Sequence, residues 1–148
     1  MHKNKLTHTD LKPENILLQY EDLKRVPFKT YSKKTDWRYS RSSTRSQSKR
    51  SKQKMTYEPV YDKIKLIDMG GATWDHEHHS TIINTRQYRS PEVILNCMRW
   101  NHKSDIWSIG CILYELYSGQ FFFPTHEDYE HLAMIEKMFG RVPLWMAK

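Results

Sequence analysis

The sequence is short of the residues that would cross-link a chain or carry it through a membrane. Two cysteines, Cys97 and Cys111, in 148 residues exclude a disulfide framework, and without a CxxC pair they supply no thiolate metal site. A reducing compartment, nuclear or cytoplasmic, is expected. No apolar run approaches the ~18 residues a membrane helix needs, and the opening MHKNKLTHTD has no signal-peptide core, so no membrane partner is expected. Only five glycines occur, and none falls in a G-x-G-x-x-G or G-x-x-x-x-G-K pattern. Acid is scarce in one place above all. Residues 29 to 54 hold ten Lys/Arg against one acid, Asp36, a local net of +9, while the rest of the chain carries about −2 of the overall +7. The positive charge is therefore a local insert in a nearly neutral chain.

That insert has only Tyr31, Trp37 and Tyr39 as large apolar or aromatic residues. It cannot bury enough surface to offset its ordering entropy. The expectation is a basic, Ser/Arg-rich loop over 19–62, disordered, set between two neighbouring strands. Its compact KRSKQK cluster leaves three readings open: a solvated linker, a nuclear-localisation or RNA-contacting patch, and a segment that is itself modified.

The flanks of the insert read as strands. Ile16-Leu17-Leu18 is a short apolar run, and KIKLID, 63–68, alternates polar and apolar with Ile64 and Leu66 on one face. Pro91 suits the first turn of a short helix. SDIWSIGCILYELYSG predicts a helix with Ser104 or Asp105 as N-cap and Gly119 as the stop. Its apolar residues wrap most of the circumference, which places it in the middle of a core. A further helix is expected over 126–139, capped by Thr125, with Leu132, Ile135, Met138 and Phe139 as its buried stripe. FFFP, 121–124, reads as a buried turn beneath it.

Within HTDLKPEN, 8–15, a carboxylate stands two residues before a lysine and five before an asparagine. Phosphoryl transfer needs such a set. Asp10 would take the proton of an attacking hydroxyl, and Lys12 would neutralise charge on the transferred group. Asn15 would offer an oxygen to Mg2+, and Pro13 would stiffen the loop. LIDMGG supplies a second metal ligand, Asp68, at a strand end 58 positions later. Pairing of strands 16–18 and 63–68 would bring Asp10, Asn15 and Asp68 around one pocket. The histidines and acids of DHEHH, 75–79, lack a second ligand cluster and fit a loop surface better than a zinc site.

The order H-x-D-L-K-P-E-N at 8–15, D-x-G at 68–70, SPE at 90–92 and SDIWSIGCIL at 104–113 resembles the protein kinases. HTD, EHHST, TRQYRSPEVIL and EHLAMIEKMFG together resemble the LAMMER-type branch, dual-specificity kinases related to the cyclin-dependent kinases. The resemblance implies ATP and Mg2+ as cofactors, with Asp10 as catalytic base and Lys12 as the phosphate-contacting lysine. It makes Asn15 and Asp68 the metal ligands and Thr85 the threonine that bonds the catalytic aspartate and lysine. Arg89 matches an arginine of the wider group, and Asp105 the helix aspartate that braces the catalytic loop. The implied partners are Arg/Ser-rich proteins such as splicing factors, with weak RNA contact through 29–54 as a further expectation.

Thr9 stands where many kinases have an arginine that grips a phosphorylated activation loop, Met69 replaces the phenylalanine of D-F-G, and Ser90 the alanine of A-P-E. The glycine-rich loop, the strand lysine and its partner glutamate are absent. The implied fold is mainly α with a short β-hairpin, a kinase-like C-terminal lobe without the N-terminal lobe and the last helices. Two functions follow: a serine/threonine kinase, or a truncated, inactive kinase-like interaction protein. The isolated chain is expected to be inactive.

Overall fold

In a computed structural model, residues 1–28, 54–77, 79–97 and 99–146 are described. In chain order the strands are β1 (Leu6–Thr7), β2 (Ile16–Leu18), β3 (Leu23–Pro27), β4 (Met55–Pro59), β5 (Ile64–Leu66) and β6 (Thr73–Trp74). The α-helices are α1 (Pro91–Leu95), α2 (Lys103–Ser118) and α3 (Asp128–Phe139), with 3-10 turns at His2–Asn4, Pro13–Asn15 and Arg86–Tyr88. The chain divides into two compact units, Met1–Leu17 with Ile64–Lys148, and Leu18–Lys63.

In the larger unit, β1 pairs antiparallel with β6 through Leu6↔Trp74 and Thr7↔Thr73, and β2 pairs with β5 as the sequence implied. The short helix α1 starts at Pro91, which lacks only an N–H that no helix would use, and stops at Asn96 in the left-handed region. Gly119, at φ 74°, ends α2 where a side chain would be strained.

The start of α2 differs from expectation. It begins at Lys103 after His102, so Ser104 and Asp105 lie inside the first turn, fully buried, with their polar groups turned to other segments. α3 starts at Asp128, later than the pattern suggested. Thr125 Oγ1 donates to Glu130 (2.8 Å), organising the entry to the helix without capping it.

Leu11, Tyr88, Cys111, Ile112, Phe123 and Ile135 form the main core. Ile83, Val93 and Trp100 form a second cluster. Burial on this scale contributes roughly 1.5–3 kcal/mol per large apolar side chain. α2 meets the core with one side only. Cys111 and Ile112 are buried, whereas Leu113 and Leu116 are 62% and 71% exposed, so the helix lies at the edge of the core and not in its middle. In α3, Ile135 is buried as expected, but Met138 and Phe139 are exposed, and His131 takes the inner position. Of FFFP, Phe123 is buried and stacks on Trp107, while Phe121 is exposed.

The smaller unit corrects the expected disordered loop at both its ends. β3 and β4 pair antiparallel from Leu23↔Pro59 to Pro27↔Met55, extended by Phe28 N–H to Lys54 O at 2.8 Å. Leu23, Val26, Thr56 and Tyr57 give the ribbon its strand propensity. The central basic tract, 29–53, lies outside the described residues. The expected single hairpin thus becomes three two-stranded sheets among the described residues.

Candidate active site

The site is built on the loop between β1 and β2. Asp105, buried in the first turn of α2, accepts hydrogen bonds from the backbone N–H of His8 (2.8 Å) and Thr9 (3.1 Å), and His2 Nε2 lies 2.8 Å away. A buried carboxylate held by two backbone donors is a rigid support, because each donor would otherwise lose its hydration unpaired. His8 fixes the next link. The N–H of Asp10 donates to its Nδ1 (3.3 Å), and its Nε2 donates to Ile67 O (3.0 Å), one residue before Asp68.

Asp10 is therefore presented on a loop anchored on two sides. Its Oδ2 accepts from Lys12 Nζ at 2.6 Å, and its Oδ1 accepts from the Thr85 hydroxyl (2.8 Å) and N–H (3.0 Å). Lys12 also donates to Thr85 Oγ1 at 3.3 Å, closing a triangle of the three residues. Burial works against the Asp10 charge, but the bonds from Lys12 and Thr85 outweigh it and hold the carboxyl below its ordinary range. The Asp10 hydrogen bond lifts the Lys12 ammonium above its own, with smaller help from Glu14 and Asp68. The pair is thus charged across the neutral range.

Asn15 is buried at the end of the same loop. Its Nδ2 donates to Asp10 O (2.9 Å), so the amide nitrogen is committed to the loop and Oδ1 is the atom left for a cation. The N–H of Ile67 donates to Asn15 O (3.0 Å), which sets Asp68 beside Asn15 across the β2–β5 pair. Asp68 is exposed and left-handed at φ 61°, a conformation non-glycine residues hold at a cost. One carboxylate and one amide oxygen suit Mg2+, which keeps several waters and draws further oxygens from phosphate. No cluster of three His, Cys, Asp or Glu suited to a metal occurs among the described residues.

Arg89 donates to Ile83 O and Asn84 O, both at 3.0 Å, and shares Asp128 with Arg86. Asn84, at φ 62°, is buried: Ser104 Oγ donates to its Oδ1 (2.9 Å), and its Nδ2 donates to Ser108 Oγ (3.2 Å). These residues tie the segment carrying Thr85 to α2. Sequence reasoning singled out Asp10, Lys12, Asn15, Asp68, Thr85 and Asp105, of which hydrogen bonds join Asp10 to Lys12, Thr85 and Asn15, and it did not single out His2 or Asn84. The left-handed Asn84 carried the one available signal, as asparagine tolerates that conformation.

A family model described as "Protein kinase domain" matches residues 1–144. The chain is 49% identical to "Probable dual specificity protein kinase madd-3" of Caenorhabditis elegans, over 100% of this chain and 14% of that protein. It is 45% identical to "Dual specificity protein kinase CLK2" of Homo sapiens, over 100% of this chain and 25% of that one. It is 46% identical to "Serine/threonine-protein kinase AFC1" of Arabidopsis thaliana, over 97% and 28%. The chain thus spans between about a seventh and a little over a quarter of these relatives' lengths. The crystal structure of the kinase domain PF14_0431 superposes with a TM-score of 0.78 at 43% identity, covering 98% of this chain and 38% of that one. Together with the Asp10–Lys12–Thr85 triangle, the match over nearly the whole chain gives its family: it belongs to the protein kinases, and its similarity is to the LAMMER-type, dual-specificity branch.

Proposed function

We propose that this chain carries the proton-accepting and metal-binding residues of a serine/threonine, dual-specificity kinase that moves the γ-phosphate of ATP to hydroxyls of Arg/Ser-rich proteins. It corresponds to part of a C-terminal lobe. The observation that carries the reading is the Asp10 carboxylate held between Lys12 (2.6 Å) and Thr85 (2.8 Å). Asp10 accepts the proton of the attacking hydroxyl, and the bond from Thr85 aims the carboxylate so that proton transfer needs no rearrangement. Lys12, charged and adjacent, offsets the negative charge of the transferred group. Asn15 Oδ1 and the Asp68 carboxylate would hold Mg2+, which when bound neutralises charge on the phosphates.

Arg/Ser-rich substrates and a nuclear location follow from the resemblance to LAMMER-type kinases. The tract SRSSTRSQSKRS, 40–51, is such a sequence within this chain and is the first place to look for self-phosphorylation by mass spectrometry. An inactive interaction protein is the weaker reading, because a chain released from catalysis has no need to keep Asp10, Lys12, Asn15, Asp68 and Thr85 together. The test is Asp10→Asn in a chain that also carries an ATP-binding N-terminal lobe, assayed for phosphate transfer to an Arg/Ser-rich peptide. Loss of a general base lowers the rate by about 10²–10⁴-fold. An unchanged rate would remove Asp10 from the mechanism.

A further inference from the structure

Thr9 is the residue of the catalytic loop for which the mechanism above has no use, yet three other segments meet on it. It is buried and β-branched, and it is held at φ 73°, a left-handed conformation that such residues rarely adopt. Its N–H donates to Asp105 Oδ1 (3.1 Å), and its carbonyl accepts from the N–H of Asn84 (2.8 Å), next to Thr85. Its hydroxyl donates to Gly71 O (2.8 Å), in the turn that follows Asp68. One residue thus ties the loop of Asp10 to the segment of Thr85, to the turn of Asp68 and to α2.

The fit at Gly71 is mutual. A Cβ added there would stand 2.8 Å from Thr9 Oγ1, inside any real carbon–oxygen contact, so the close approach depends on a glycine opposite a threonine. Backbone strain maintained by surrounding bonds is a mark of a functional constraint.

We propose that Thr9 is a positioning residue whose hydroxyl latches the Asp68 turn to the catalytic loop, so that the metal ligands hold their register. The proposal rests on the kinase reading for its purpose, but the latch itself can be tested without catalysis. Thr9→Val keeps shape and β-branching and removes only the donor, and Thr9→Ser keeps the donor. Thr73 Oγ1 also donates to Gly71 O, at 3.0 Å, but from two residues away in the same turn, so Thr73→Val serves as the local comparison.

Amide exchange of the 148-residue chain reads the latch directly. In Thr9→Val the amide of Ala72, which donates to Met69 O (3.0 Å) across the turn, should exchange about tenfold faster, with those of Cys111 and Ile112 unchanged. Thr9→Ser should match the parent, and Thr73→Val should fall well short of Thr9→Val. Equal exchange in Thr9→Val and parent, acceleration spread evenly over the chain, or a Thr9→Ser variant as fast as Thr9→Val would each overturn the latch. In turnover, Thr9→Val should raise the Mg2+ concentration for half-maximal rate severalfold and leave the peptide KM alone. A rise in peptide KM alone would overturn its role in placing the metal ligands. An active Asp10→Asn variant would instead remove Asp10 from the mechanism and leave the exchange result standing.

Discussion

Asp105 shows how much a single buried side chain carries here. Its carboxylate, itself away from solvent, takes the N–H groups of His8 and Thr9 and lies against the partly exposed His2 Nε2. Asp105→Ala would leave two buried donors unpaired, for a loss of about 3–5 kcal/mol in urea unfolding. Asp105→Asn keeps one acceptor oxygen and should lose distinctly less, and equal losses in both would mean that the charge alone matters. Asp10 is tuned by its neighbours in the same way. Burial would raise its pKa, but the bonds from Lys12 and Thr85 bring it below the ordinary value. A carboxyl with a depressed folded pKa contributes stability that is complete above its unfolded value and fades as pH falls through the folded one. Thr85→Val removes one of those bonds, so the Asp10 carboxyl, followed by carbon NMR, should titrate at a higher pH than in the parent. Titration at an unchanged pH would show that Lys12 and the backbone N–H at position 85 set it without the hydroxyl.

At the scale of an element, α3 carries a residue that its apolar pattern did not single out. His131 is fully buried, its ring 4.8 Å from that of Phe123, and neither ring nitrogen has a protein partner among the described residues. Burial first, and Arg89 next, push its pKa down to about 4, against a smaller pull from Asp128 and a further push from Arg86. The unfolded chain therefore binds a proton between about pH 6.5 and 4 that the folded chain refuses. Stability should be full above about pH 6.5 and fall toward pH 4, by at most about 3 kcal/mol. His131→Leu, which removes the titrating group and keeps apolar volume, should flatten that limb in thermal unfolding followed from pH 7.5 to 4.5. A limb of unchanged slope would place its origin elsewhere. The same helix shows what the sequence could and could not reveal. Asp10, Lys12, Asn15 and Asp68 could be picked out as candidates because their types and spacing fit the groups that phosphoryl transfer needs. The strands β2 and β5 beside them were legible because alternation and apolar runs are local. Which side of a helix turns inward is decided by distant chain, so Met138 and Phe139 seemed better core candidates than His131. Likewise nothing near His2 announces a carboxylate 103 positions away.

Across the whole molecule, the polar site and the apolar surface lie apart. A groove of about 910 Å³ is lined by apolar side chains such as Trp107, Phe122, Phe139 and Trp145, and none of the residues of the Asp10 site borders it. α2 adds Ile109, Leu113 and Leu116 to the exposed surface, and Tyr117 at 92% exposure. Contiguous apolar surface of this kind promotes association in water, whereas single exposed residues do not. Leu113 and Leu116 have already kept most of their surface in water, so replacing them removes little burial and leaves no buried cavity. A double change, Leu113→Lys with Leu116→Glu, also places opposite charges three residues apart on one helix face, where they attract weakly. Sedimentation of the 148-residue chain should therefore show less self-association in the variant, with a thermal midpoint within about 2 °C of the parent. A variant that associates as strongly as the parent would move the cause to the groove around Trp107 and Trp145. A sharp fall in midpoint would mean that these leucines are covered in solution.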